Sequence, residues 1–277
     1  MSPTSQSPKP LAEILKNRKS NMARQHLLLF VLLGLLFQCN QSKKGTNEFG
    51  KVEQIFAENN YDLGGSAKLN IYADSTYEFT VTNGGFDHEK IDKFKGSCYI
   101  KNDTIYFKPF AFKYVNSGKA IIKNNFVEFI EGEYPLKVKI RKSNIAVKQI
   151  YNLGQFNGFS IFTYDKKFYN YFTEDVKPYE LTQKDLIELD KLLEKCFDDN
   201  KSELNRKSNL YEKQIIAVIN TKKEVEVWVS CNCRERKFNK EFEYQIVRVN
   251  DGGNCHFTLK INLTRQKYSD LSINGDA

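Results

Sequence analysis

Between residues 67 and 141 the chain never runs far before it meets a turn signal. Asp74-Ser75, Asn83-Gly84-Gly85, Asn102-Asp103, Asn116-Ser117-Gly118 and Asn124-Asn125 divide it into short runs such as AKLNIYA, TYEFTVT, GSCYIK, KAIIK, NFVEFIEG and PLKVKIRK. Each run is rich in aromatic or β-branched residues, which fit a pleated, half-buried surface. Tyr77, Phe79 and Val81 alternate with polar residues, as do Ile105 and Phe107, and period-two alternation puts each set on one face of a strand. Strands spaced by turns about every 8–12 residues predict an antiparallel meander that closes into a sandwich or barrel. A strand or a helix at 51–58 precedes it, and the β-rich domain is expected over 51–148.

The second half reads differently. GFSIFTY is a strand, and LTQKDLIELDKLLEKCF is the one long helix. Thr182 is placed to accept a bond from the Asp185 amide, and Asp185 suits the positive end of the helix. Leu186, Leu189, Leu193 and Cys196-Phe197 form one apolar stripe. KQIIAVIN, EVEVWVSC, FEYQIVRV, CHFTLKINL and YSDLSIN follow as five strand-like runs. The stripe needs a sheet to cover it. The fold class is therefore α+β: an antiparallel β-meander, then a roll over 149–277 with one helix packed on an antiparallel sheet. That layout is similar to cystatin-like and PepSY-like modules, and layout alone carries no function.

The segment ARQHLLLFVLLGLLFQC holds an eleven-residue apolar run, Leu27 to Phe37. Crossing a bilayer takes about 20 apolar residues. A run of about 7–15 after positive charge is the core of a secretory signal peptide. Residues 1–38 are read as that signal, with translation starting at Met1 or at Met22. LLFQC resembles the lipobox of bacterial lipoproteins: Leu36 and Cys39 match, whereas Phe37 and Gln38 stand where small residues are usual. The resemblance implies a lipid-bearing Cys39, with 39–50 as a flexible tether. It also implies a membrane partner through the anchor, in the cell envelope. Asn40 is not the aspartate that retains enteric lipoproteins in the inner membrane, so the outer membrane is favoured.

Two further resemblances bear on the class. Asp74, Thr76, Tyr77, Gly96 and Asp103 match a pattern of small lipocalin-like lipoprotein domains, with Cys98 where tryptophan is usual. The DGGN…NG ending is similar to that of a group of bacterial lipoproteins and secreted proteins of unknown activity. Neither implies a ligand.

Without residues 1–38 the chain keeps 37 basic and 33 acidic residues, a net of +4. That is ordinary surface charge and gives no reason to expect nucleic acid as a partner. Export permits disulfides. Cys231 and Cys233 share a strand face in EVEVWVSCNC, and Cys255 opens another strand. If those strands pair directly, Cys255 meets Cys231 or Cys233; if FEYQIVRV lies between them, no bridge forms. A zinc site from Cys231, Cys233 and Cys255 with His256 or Cys196 is disfavoured by the C-x-C spacing and by the opposite facing of Cys255 and His256. A C-x-C redox pair lacks its βαβ frame.

No metal or cofactor is expected, and no catalytic motif is present. His88 reads as a solvated loop residue. Glu174-Asp175 and Asp198-Asp199 read as surface pairs, and Asp251-Gly252-Gly253-Asn254 as a turn rather than an anion nest. In the aromatic stretch 156–179, alternation predicts Phe168 and Phe172 inward and Tyr169 and Tyr171 outward. Those two tyrosines are the expected contact surface for a protein or a glycan. The composite expectation is a lipid-anchored binding or scaffolding protein rather than an enzyme. A hydrolase with a site assembled from scattered residues, and a protein inhibitor or immunity factor, are the alternatives.

Overall fold

A computed structural model of the chain describes residues 50–61, 64–83, 90–156, 158–234 and 241–275. The expected leader, the tether, Cys39 and His88 lie outside the described residues.

Eight strands form the meander: β1 (Glu53–Asn60), β2 (Gly65–Tyr72), β3 (Thr76–Asn83), β4 (Lys90–Lys101), β5 (Thr104–Lys108), β6 (Lys119–Lys123), β7 (Phe126–Ile130) and β8 (Lys137–Ser143). Each pairs antiparallel with the next, and β1 closes on β8 through Ile55↔Ser143 and Ala57↔Ile140. The result is a closed barrel. With eight strands the interior is just wide enough for side chains to fill. Ile55, Leu69, Ile71, Tyr77, Phe79, Ile105, Phe107, Phe110, Phe129 and Val138 fill it. The asparagine and aspartate turns work because those residues tolerate positive φ; Asn102, Asp103, Asn124 and Asn125 all adopt it. Gly96 pairs with Tyr77, and a Cβ there would come within 2.7 Å of the Tyr77 ring. The Tyr77 hydroxyl donates to Pro109 O (2.7 Å) and accepts from Ala111 N (2.9 Å), pinning the β5–β6 excursion, whose Phe110 and Val115 join the barrel core.

The roll comprises β9 (Phe159–Thr163), β10 (Val176–Pro178), α1 (Gln183–Asp199), β11 (Tyr211–Asn220), β12 (Val225–Cys233), β13 (His256–Asn262) and β14 (Lys267–Ile273). The sheet order is β10-β11-β12-β13-β14, and β9 runs parallel to β11 along the edge that β10 also uses. Thr182 caps α1, and Asp185 returns the bond to the Thr182 amide at 2.8 Å. Leu186, Leu189, Leu192, Leu193, Cys196 and Phe197 cover one sheet face. Phe162, Tyr164, Tyr169, Phe172 and Trp228 cover the other. Both faces of β11 are therefore buried, which explains its continuous apolar run.

FEYQIVRV is not a strand. Its start is a 3-10 turn at Glu241–Glu243. Gln214, fully buried on β11, takes the backbone groups that a ladder would have used: its amide donates to Phe242 O and Gln245 O and accepts from Val247 N. With that segment off the sheet, β12 pairs directly with β13.

Candidate functional site

The barrel and the roll meet along β7 and β8 on one side and β9 on the other. Outward residues of a barrel strand normally face water. Here Phe126, Glu128 and Lys137 face the roll instead. Glu128 accepts from the Thr163 amide (2.9 Å) and the Thr163 hydroxyl (2.8 Å). Lys123 donates to Thr163 Oγ1 and Glu180 Oε1, both at 2.9 Å. Lys139 pairs with Glu243, and the Tyr244 hydroxyl donates to Asn60 O. The seam is thus polar and discontinuous, unlike the apolar cores.

Between these contacts the seam opens into a cleft of about 980 Å³. Its walls carry Tyr61, Phe126, Phe129, Tyr134, Leu136, Tyr151, Ile161, Phe162, Tyr164, Tyr169, Tyr179, Tyr244 and Ile246. A second cleft of about 810 Å³ lies alongside; Asn124, Phe126, Lys137, Tyr151 and Ile161 border both. An apolar, aromatic hollow with a few converging polar groups is the usual form of a small-molecule site. Glu128, Glu131, Glu133, Asp165 and Glu180 balance Lys123, Lys137, Lys167 and Arg248 around it, so the described residues of the cleft carry no excess of positive charge.

Lys137 is the unusual group. It is 7% exposed. Its Nζ donates to Ile161 O at 2.7 Å and lies 4.0 Å from the centre of the Phe126 ring and 4.5 Å from that of Phe162. Burial pushes its amine down to about 8, because the charged form loses its water; the Glu128 carboxylate opposes the shift. Tyr151 is half-buried and held protonated, chiefly by desolvation and then by Glu128. Tyr169 is held protonated for the same reasons. The Asn124 side-chain nitrogen is buried beside this group without a hydrogen bond of full geometry.

The residues singled out from sequence fall elsewhere or in other roles. Cys39 lies outside the described residues. Cys233 and Cys255 form a disulfide with Cα atoms 4.8 Å apart. The register explains the choice between the two partners: Cys231 faces Phe257 and Asn232 faces His256, so Cys233 is the residue opposite Cys255. Cys231 stays a buried thiol, pushed up to about 12 by desolvation, and Cys98 and Cys196 are buried thiols at about 11. Among the described residues no three His, Cys, Asp or Glu side chains gather into a metal-binding group.

The expected outward pair Tyr169 and Tyr171 is corrected. Tyr169 is 5% exposed and belongs to the cleft wall. Tyr171 is half-buried, stacked on Trp228 with ring centres 3.8 Å apart. The alternation rule failed because 165–169 is a turn, not a strand: the Phe168 and Tyr169 amides both donate to Asp165 O. Lys137 itself carries no sequence signal. In PLKVKIRK it reads as one of three outward basic residues, and only the roll covering it makes it different.

Comparison with family models, with curated proteins and with solved structures finds no match for this chain.

Proposed function

We infer that this is an exported, lipid-anchored cell-envelope protein that binds an apolar or aromatic small molecule in the cleft between barrel and roll. The observation that carries the binding reading is the cleft itself: about 980 Å³ of largely aromatic wall, enclosing a buried amine and buried tyrosines. A hollow of this size takes a drug-sized molecule and buries most of its surface. Export is supported by two separate features. One is the apolar run ending in Cys39. The other is the Cys233–Cys255 disulfide, a bond that persists in oxidising compartments.

Two measurements test the reading. Intact mass of the protein taken from membranes of its own host should show cleavage before Cys39 and added acyl chains; an unprocessed chain in the cytosol overturns the anchor. Titration with naphthalenemethanol, followed by its fluorescence, should give saturable one-to-one binding that Leu136→Glu abolishes. Binding that never saturates, or that ignores the substitution, overturns the cleft as the site.

A further inference from the structure

We propose that Lys137 is a covalent capture residue, and that the cleft takes ligands bearing an aldehyde or ketone by forming a reversible imine with its side-chain nitrogen. This rests on the binding reading above and names the chemistry of the ligand. Three observations carry it. First, Lys137 lies in the wall that the two clefts share. Second, among the described residues it makes one hydrogen bond, to Ile161 O. That bond uses one N–H and leaves the lone pair of the neutral amine free. Third, Phe126 and Phe162 flank it. Their faces would pack against a planar carbonyl group.

The desolvation that lowers the lysine's affinity for a proton makes it a better nucleophile at neutral pH. An amine titrating near 8 is the free base roughly three hundred times more often at pH 7 than one titrating near 10.5. In the reaction the nitrogen lone pair adds to the carbonyl carbon as the C–O π pair moves to oxygen. The two N–H hydrogens leave with that oxygen as one water, and a C=N bond remains. No oxidant or reductant is needed.

Lys213 supplies an internal contrast. It too is buried, with its amine pushed down by desolvation. But its nitrogen is held by Ser208 O and Tyr211 O, and it borders neither cleft.

The test uses the full chain in mild detergent at pH 7, with naphthaldehyde and cyanoborohydride, followed by peptide mapping. The naphthylmethyl group is expected on Lys137 at least tenfold faster than on the average surface lysine, with Lys213 unmodified. Excess naphthalenemethanol should slow the labelling. Lys137→Arg, which keeps a cation, should lose the fast label. Because the site is mapped on the unaltered protein, the result stands even if the variant misfolds. If the alcohol binds saturably and Lys137 is labelled no faster than the surface, the capture role is overturned and the binding cleft survives. If the alcohol does not bind and Lys137 is not labelled, both fall.

Discussion

A single lysine shows how far an environment can change a residue. Lys137 titrates near 8 in the folded protein against 10.5 for an ordinary lysine. Between those values the unfolded chain holds the extra proton, so stability rises with pH from about 8 to about 10.5 and is lowest below 8. The full span corresponds to about 3 kcal/mol. Lys137→Met removes the titration. Urea melts should therefore show wild type gaining about 2 kcal/mol on the variant between pH 7 and pH 10; an unchanged difference would mean the amine is solvated. The disulfide acts at the same scale. It closes a loop with a sequence separation of 22, worth about 3 kcal/mol through the unfolded chain. Cys233→Ser with Cys255→Ser should lower the urea midpoint accordingly. The thiols of Cys98, Cys196 and Cys231 are buried and pushed up, and should resist alkylation until the protein unfolds.

Among elements, α1 and the 241–247 segment contrast. The helix is locally specified: a capping box at Thr182 and Asp185, then an apolar stripe that fits one sheet face. Thr182→Ala should cost about 1 kcal/mol, read from thermal melts. The segment 241–247 has strand-like composition but no ladder. Three hydrogen bonds to Gln214 hold its backbone to the sheet, and the Ser160 hydroxyl adds a fourth at Glu243 O. Gln214→Leu leaves the three groups bonded to Gln214 buried and unpaired, at about 1–3 kcal/mol for each group that finds no water. Hydrogen exchange at the Val247 amide should accelerate at least tenfold, with β11 and β12 slowed or unchanged; equal acceleration everywhere would mean that Gln214 supports the whole sheet instead.

At the scale of the whole molecule, the barrel core and the two apolar layers of the roll are joined by a polar seam. Glu128 is the centre of that seam, since it takes both the amide and the hydroxyl of Thr163 and lies 3.8 Å from Lys123. Glu128→Ala leaves the Thr163 amide and a largely buried ammonium without that partner. The expected loss is about 2–3 kcal/mol. Because none of these apolar layers is touched, calorimetry should resolve two transitions where wild type gives one; a single transition at lower temperature would show that the halves fold only together. The same seam holds the candidate site, so ligand in the cleft should narrow the gap between the two transitions.

The sequence by itself determined the elements and their class. Alternation, turn residues that accept positive φ, and a helical stripe with its cap are local properties, and local sterics enforce them. That is why the meander, the helix and the roll were legible, and why 165–169 and 241–247 were not: aromatic composition suits strands at both, but Asp165 bends the first into a turn, and Gln214, far along the chain, claims backbone groups of the second. The tertiary structure alone decided three things. It closed the meander into a barrel through β1 and β8. It put Cys233 rather than Cys231 opposite Cys255. It also laid β9 across the outer face of β7 and β8, turning a surface lysine into a buried amine. Each depends on contacts between residues distant in sequence, and burial of a charge is a property of what covers a residue, not of the residue.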